Sequence, residues 1–158
     1  MDVVLRAAPF HLEFLKSTLK SSSQFERLLE SARRKAVSSK PEEKVRQALT
    51  QWLLEKAHVP PRLISTEYSL SALNPSCRKR ADIVVWKPGG KEGGLHPWLL
   101  VECKAPGIPL NDSVADQVRR YAEKIRAPFV LVTNGETTRY FKLSEKKYQE
   151  IERLPVFG

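Results

Sequence analysis

The sequence predicts a mixed α/β domain. Two amphipathic helical patterns stand in it, the first followed by three short apolar runs and the second by two, with Pro, Gly and Asn marking the joints. Helix-then-strand alternation of this kind implies a central mixed sheet flanked by helices. With 158 residues, 41% of them hydrophobic, the chain can bury one conventional core. Residues 40–158 are expected to form that unit, with residues 1–39 as an extension packed on it.

The elements follow in order. Residues 1–39 pass from a short apolar stretch into a charged helical segment, where Phe25, Leu28 and Leu29 recur at spacings of three and four, and end near Arg33, Arg34 and Lys35. The pattern breaks at Ser38, Ser39 and Lys40. Over 41–57, Val45, Leu49, Trp52 and Leu53 share one helical face, Pro41 suits the helix start, and Glu42 and Glu43 complement the dipole of the first turn. Pro60 and Pro61 then forbid continuation. Strands are expected at 63–70, 81–86 and 98–104, with a Pro, Gly and Lys loop over 87–97. Asn111, Asp112 and Ser113 supply N-cap groups for a second helix whose apolar face is Val114, Val118, Tyr121, Ala122 and Ile125. Strands at 129–133 and 139–143 flank the turn Asn134-Gly135. Residues 144–158, charged and then apolar at Leu154, Val156 and Phe157, are expected to dock as a tail.

Composition narrows the functional classes. Lys and Arg number 27 against 18 Asp and Glu, a net charge of +9 that favours polyanionic partners. No apolar run approaches the roughly 18 residues that span a bilayer, and Asp2, Arg6, His11, Glu13 and Lys16 interrupt any secretory leader. The expectation is a soluble cytoplasmic protein without membrane contact. Cys77 and Cys103 stand in unrelated contexts, which argues against a disulfide framework or a metal knuckle. His11, His58 and His96 are scattered and read as surface or loop residues. No phosphate loop of the GxxxxGK[ST] type occurs in these 158 residues.

One constellation carries chemistry. In a strand at 98–104, Leu100, Glu102 and Lys104 point one way while Val101 and Cys103 point into the core. Asp82 opens the preceding strand, and if the two strands pair, its carboxylate approaches that of Glu102. Two such carboxylates repel unless a cation lies between them. Two oxygens, retained waters and a phosphate oxygen are what Mg²⁺ accepts. With Lys104 placed to orient a water or to stabilise developing negative charge, the chemistry these residues support is phosphodiester hydrolysis. The bland counterpart is a same-face Glu102–Lys104 ion pair at a sheet edge. Glu67 reads as a solvated strand-face residue or as a remote third carboxylate. Arg78, Lys79 and Arg80 lead into Asp82, and Arg119, Arg120 and Lys124 share the helix of Gln117 and Tyr121, so both clusters could hold a nucleic-acid backbone without reading its sequence.

In order along the chain stand Pro41-Glu42-Glu43-Lys44-Val45-Arg46-Gln47, Arg80-Ala81-Asp82-Ile83-Val84-Val85, Val101-Glu102-Cys103-Lys104-Ala105-Pro106, Gln117 with Tyr121, and Thr133-Asn134-Gly135. This series resembles the PD-(D/E)XK nuclease superfamily, and within it the N-terminal nuclease domain of type I restriction enzyme R subunits and small stand-alone proteins similar to it. Ala81 stands where the superfamily motif carries proline. The resemblance spans residues 40–143 and implies a restriction-endonuclease-like αβββαβ core. It further implies that Asp82 and Glu102 bind Mg²⁺ or Mn²⁺ together with the backbone carbonyl of Cys103, that Lys104 assists the attacking water, and that Gln117 and Tyr121 line the site. A first-helix glutamate would complete it: Glu42, which shares the inward face of Val45, Leu49 and Leu53, or Glu43. The implied activity is endonucleolytic cutting of DNA in restriction, phage defence or repair, and a homodimer would suit cutting both strands. The alternative is a non-catalytic nucleic-acid-binding or assembly module serving a helicase or methyltransferase subunit, and a second is action on RNA or nucleotides.

Overall fold

The computed structural model describes residues 40–89 and 93–158. The helical extension expected over 1–39 lies outside the described residues. Within them the order is α1 (Pro41–Glu55), β1 (Ile64–Ser69), β2 (Arg80–Pro88), β3 (Leu95–Cys103), α2 (Asp112–Ile125), β4 (Phe129–Thr133), β5 (Thr138–Ser144) and β6 (Lys147–Ile151). The α/β class and the helix, three strands, helix, strand sequence agree with expectation.

The strands form one sheet in chain order, β1 to β6. Every neighbouring pair is antiparallel except β3 and β4, which α2 joins as a crossover and which therefore run parallel. Ile83 to Trp86, Trp98 to Val101 and Phe129 to Val132 are buried without interruption, the pattern of strands covered on both faces. α1 packs on β2 and β3 through Val45, Ala48, Leu49, Trp52 and Leu53. α2 packs on β3, β4 and β6. It opens where the Asn111 side chain accepts from the Val114 amide at 3.0 Å, satisfying a free donor of the first turn, and closes at Arg126 in the left-handed region.

Two expectations are corrected. The loop placed at 87–97 is strand at both ends: β2 runs to Pro88 and β3 starts at Leu95, with Lys87 opposite His96 and Trp86 opposite Pro97. Proline has no amide to give the ladder, and the register shift between Val85 and Trp86 is the irregularity that accommodates it. His96 is accordingly a strand residue. The tail expected over 144–158 instead begins with β6, which turns back on β5 through Glu145 in the left-handed region. Only Tyr148 of that strand is buried, and its hydroxyl donates to the Ala127 carbonyl at 2.6 Å. At the other end, the strand expected at 63–70 is trimmed, because Leu63 and Leu70 are buried in flanking 3₁₀ turns. No helix among the described residues is long and apolar enough to cross a membrane.

Candidate active site

The register of the sheet builds the site. Ile83 pairs with Val101, so one step further Asp82 stands opposite Glu102 on the neighbouring strand. Asp82 Oδ2 accepts from the backbone amide of Cys103 at 2.7 Å, which anchors the carboxylate across the β2–β3 seam. Glu102 is gripped on both oxygens: Lys104 Nζ donates to Oε1 at 3.0 Å and the Tyr121 hydroxyl to Oε2 at 2.9 Å. Lys104 is itself fixed at the main chain, its amide donating to the Thr133 carbonyl of β4 at 2.8 Å. Three elements, β2, β3 and α2, thus converge on one polar corner beside the buried centre of the sheet.

Electrostatics distinguish the two carboxylates. Burial pushes the Asp82 carboxyl up to about 6, helped by the negative charges of Glu102 and Glu42, while the Cys103 amide and Arg46 pull the other way. Tyr121 is held well above the usual phenol range by burial and by the Glu102 carboxylate it serves, so it remains a donor. The Cys103 thiol is pushed up by burial, which makes it a small core side chain with no nucleophilic character.

A half-buried carboxylate with raised proton affinity, facing a second one, is a donor pair that a divalent cation would relieve. No group of three or more His, Cys, Asp and Glu side chains among the described residues is placed to hold a metal. Mg²⁺ does not need one, because it commonly takes one or two carboxylates and keeps its waters. The residues present fit a Mg²⁺-type ion and do not fit a closed protein cage.

The first-helix alternatives separate in the structure. Glu43 is engaged within α1, accepting from Gln47 Nε2 at 2.9 Å and from Arg46. Glu42 is exposed, and its charge reaches Asp82. Gln117 lies one turn before Tyr121 on the same flank of α2 and lines an open groove with Cys77, Arg78, Lys79, Ser113, Arg120, Tyr121 and Lys124. Loop and helix are stitched together there, since Asn74 Nδ2 donates to the Lys124 carbonyl at 3.0 Å and Lys124 Nζ to the Ser76 carbonyl at 3.2 Å. The groove reaches the carboxylate corner through Tyr121.

Not every nominated cation joins it. Arg119 pairs with Asp116 and lies 5.3 Å from the Phe141 ring, on another flank of α2. Arg80 is exposed at the start of β2, opposite Ser69 of the edge strand. Asn134 faces inward to the backbone: Oδ1 accepts from the amides of Glu136 and Thr137, and Nδ2 donates to the Ile108 carbonyl. Sequence reasoning passed over Arg46, which bonds Glu43 and Glu67 beside the site.

The family model described as type I restriction enzyme R protein N terminus matches residues 41–155. No curated protein and no solved structure matches the chain.

Proposed function

Because the chain belongs to the family of type I restriction enzyme R protein N-terminal domains, a restriction-type nuclease family, we propose that it is a Mg²⁺- or Mn²⁺-dependent endonuclease of the PD-(D/E)XK kind that hydrolyses DNA phosphodiester bonds. The observation that carries this reading is the placement of Asp82 opposite Glu102 on paired strands with Lys104 bonded to Glu102.

Each residue has a task. Asp82, Glu102 and the Cys103 carbonyl would hold the metal, with Glu42 completing the set from α1. The bound ion would acidify a water and neutralise charge on the phosphate. Lys104, fixed by β4 at its amide and by Glu102 at its ammonium, orients the attacking water and offsets negative charge developing on the phosphate. Tyr121 keeps the second oxygen of Glu102 from rotating away. Arg78, Lys79, Arg120 and Lys124 hold the DNA backbone along the groove, beside Gln117. Within a larger restriction complex, the partner class this reading takes is a helicase or methyltransferase subunit.

The test is cleavage of supercoiled and single-stranded DNA with Mg²⁺, Mn²⁺ or EDTA, comparing wild type with Asp82→Ala and Lys104→Ala. Metal-dependent cutting should fall by roughly a hundredfold or more in both, the scale of losing a positioned catalytic group. Folded wild-type protein that binds DNA but never cuts would leave a binding or assembly module. Cutting of RNA in preference to DNA would move the substrate class.

A further inference from the structure

The registers of β1, β2 and β3 align three carboxylates. Between the pairs Thr66–Ile83 and Tyr68–Ala81, Glu67 falls opposite Asp82, which in turn stands opposite Glu102. Neighbouring strands lie about 4.8 Å apart, so a regular β1 would set a third negative side chain beside Asp82. Glu67 avoids this by adopting φ 49°, the only left-handed non-glycine residue inside a strand among the described residues. Such a backbone is strained for a residue with a Cβ, and strain of this kind gathers at functional sites.

The Glu67 carboxylate, 60% exposed, meets Arg46 instead, with Oε1 3.3 Å from Nη1. Arg46 rises from α1 with its side chain 13% exposed, and its second terminal nitrogen holds Glu43. One planar guanidinium therefore ties the first turns of α1, which carry Glu42, to the point of β1 that flanks Asp82. Its charge also favours the ionised Asp82.

We infer that Arg46, held between Glu43 and Glu67, is a positioning residue of the active site, setting α1 and Glu42 against Asp82. The inference rests on the metal-site reading above. Arg46 touches no reacting atom. It acts through the placement of the carboxylates, as groups behind a metal's own ligands do. An ordinary exposed ion pair would contribute little and would leave the strain at Glu67 uncompensated.

Glu67→Gly separates the two roles, because it deletes the carboxylate while relieving the left-handed strain. Arg46→Lys keeps the charge and loses the fork. On the full chain we would measure Mn²⁺ binding by calorimetry, the unfolding midpoint in EDTA, and kcat and KM for DNA, with Asp82→Ala as the control that removes the site. Both variants should bind Mn²⁺ about tenfold more weakly, with kcat lowered, KM for DNA unchanged, and Glu67→Gly unfolding no earlier than wild type. Wild-type affinity in Glu67→Gly, or a loss that merely follows a lowered midpoint, would overturn the positioning role and leave the metal site standing. Wild-type protein without Asp82-dependent Mn²⁺ binding would overturn both readings. Should Arg46→Lys fail to fold, Glu67→Gly decides alone.

Discussion

Asp82 is a residue whose protonation near neutral pH is set by what surrounds it. Its carboxyl rises from the ordinary 3.8 to about 6 through burial and the charges of Glu102 and Glu42. A native state that holds its proton more tightly than the unfolded chain is stabilised by this group below about pH 4 and loses that contribution as pH climbs through 6. The metal-free protein should therefore be weakened by Asp82 at neutral pH. Asp82→Asn removes the charge and keeps an acceptor for the Cys103 amide. In EDTA at pH 8 it should raise unfolding stability by on the order of 1 kcal/mol, a figure discounted because the group is partly exposed, and change little at pH 4. Urea unfolding at the two pH values checks this, and a destabilised Asp82→Asn protein at pH 8 would contradict it. The same residue was readable in the sequence, because a carboxylate opening an apolar strand and a Glu-x-Lys ending the next leave few arrangements once the strands pair. Arg46 was not readable. Its second partner is a glutamate whose left-handed backbone no residue pattern announces.

Among the elements, legibility followed periodicity. α1, α2, β2, β3, β4 and β5 each carry an apolar face or run long enough to declare itself, whereas β6 buries Tyr148 alone and reads as charged coil. The extensions of β2 and β3 were hidden by Pro88, Pro97 and the glycines, residues that mark loops except where a register shift or an edge admits them. The turn at Asn134-Gly135 was legible as a hairpin, and what it fastens was not. Asn134, 4% exposed, receives the amides of Glu136 and Thr137 at 2.8 and 2.7 Å and gives its own N–H to Ile108, so it joins the β4–β5 hairpin to the segment running from β3 to α2. Asn134→Ala leaves three partly covered backbone groups on the exposed residues Ile108, Glu136 and Thr137 without their side-chain partner and should destabilise the fold by about 1 to 2 kcal/mol. Cleavage per folded molecule should stay near wild type. If kcat collapsed with the unfolding midpoint intact, Asn134 would belong to the chemistry and not to the scaffold.

At the scale of the molecule, the net charge of +9 admits two accounts of nucleic-acid affinity. A diffuse positive field would attract any polyanion with each surface cation contributing alike, while a track along the groove would concentrate the effect in Arg78, Lys79, Arg120 and Lys124. Counterion release separates them, because each duplex phosphate neutralised adds about −0.9 to the slope of log affinity against log salt. Binding of duplex DNA in EDTA, followed by fluorescence anisotropy across a salt series, should give a steep slope in wild type. In Arg78→Gln/Lys79→Gln it should be shallower by about 2. Arg119→Gln supplies the contrast, since Arg119 is committed to Asp116 and to the Phe141 face away from the groove, and its slope should match wild type. Lys124 is a poorer probe, because its ammonium also braces the Ser76 carbonyl and its loss would move the groove wall. Equal losses in Arg119→Gln and the groove variants would mean that the field of the whole protein does the binding. The carboxylate corner would then meet DNA without a track leading to it, and the groove would no longer explain how a phosphate reaches Glu102 through Tyr121.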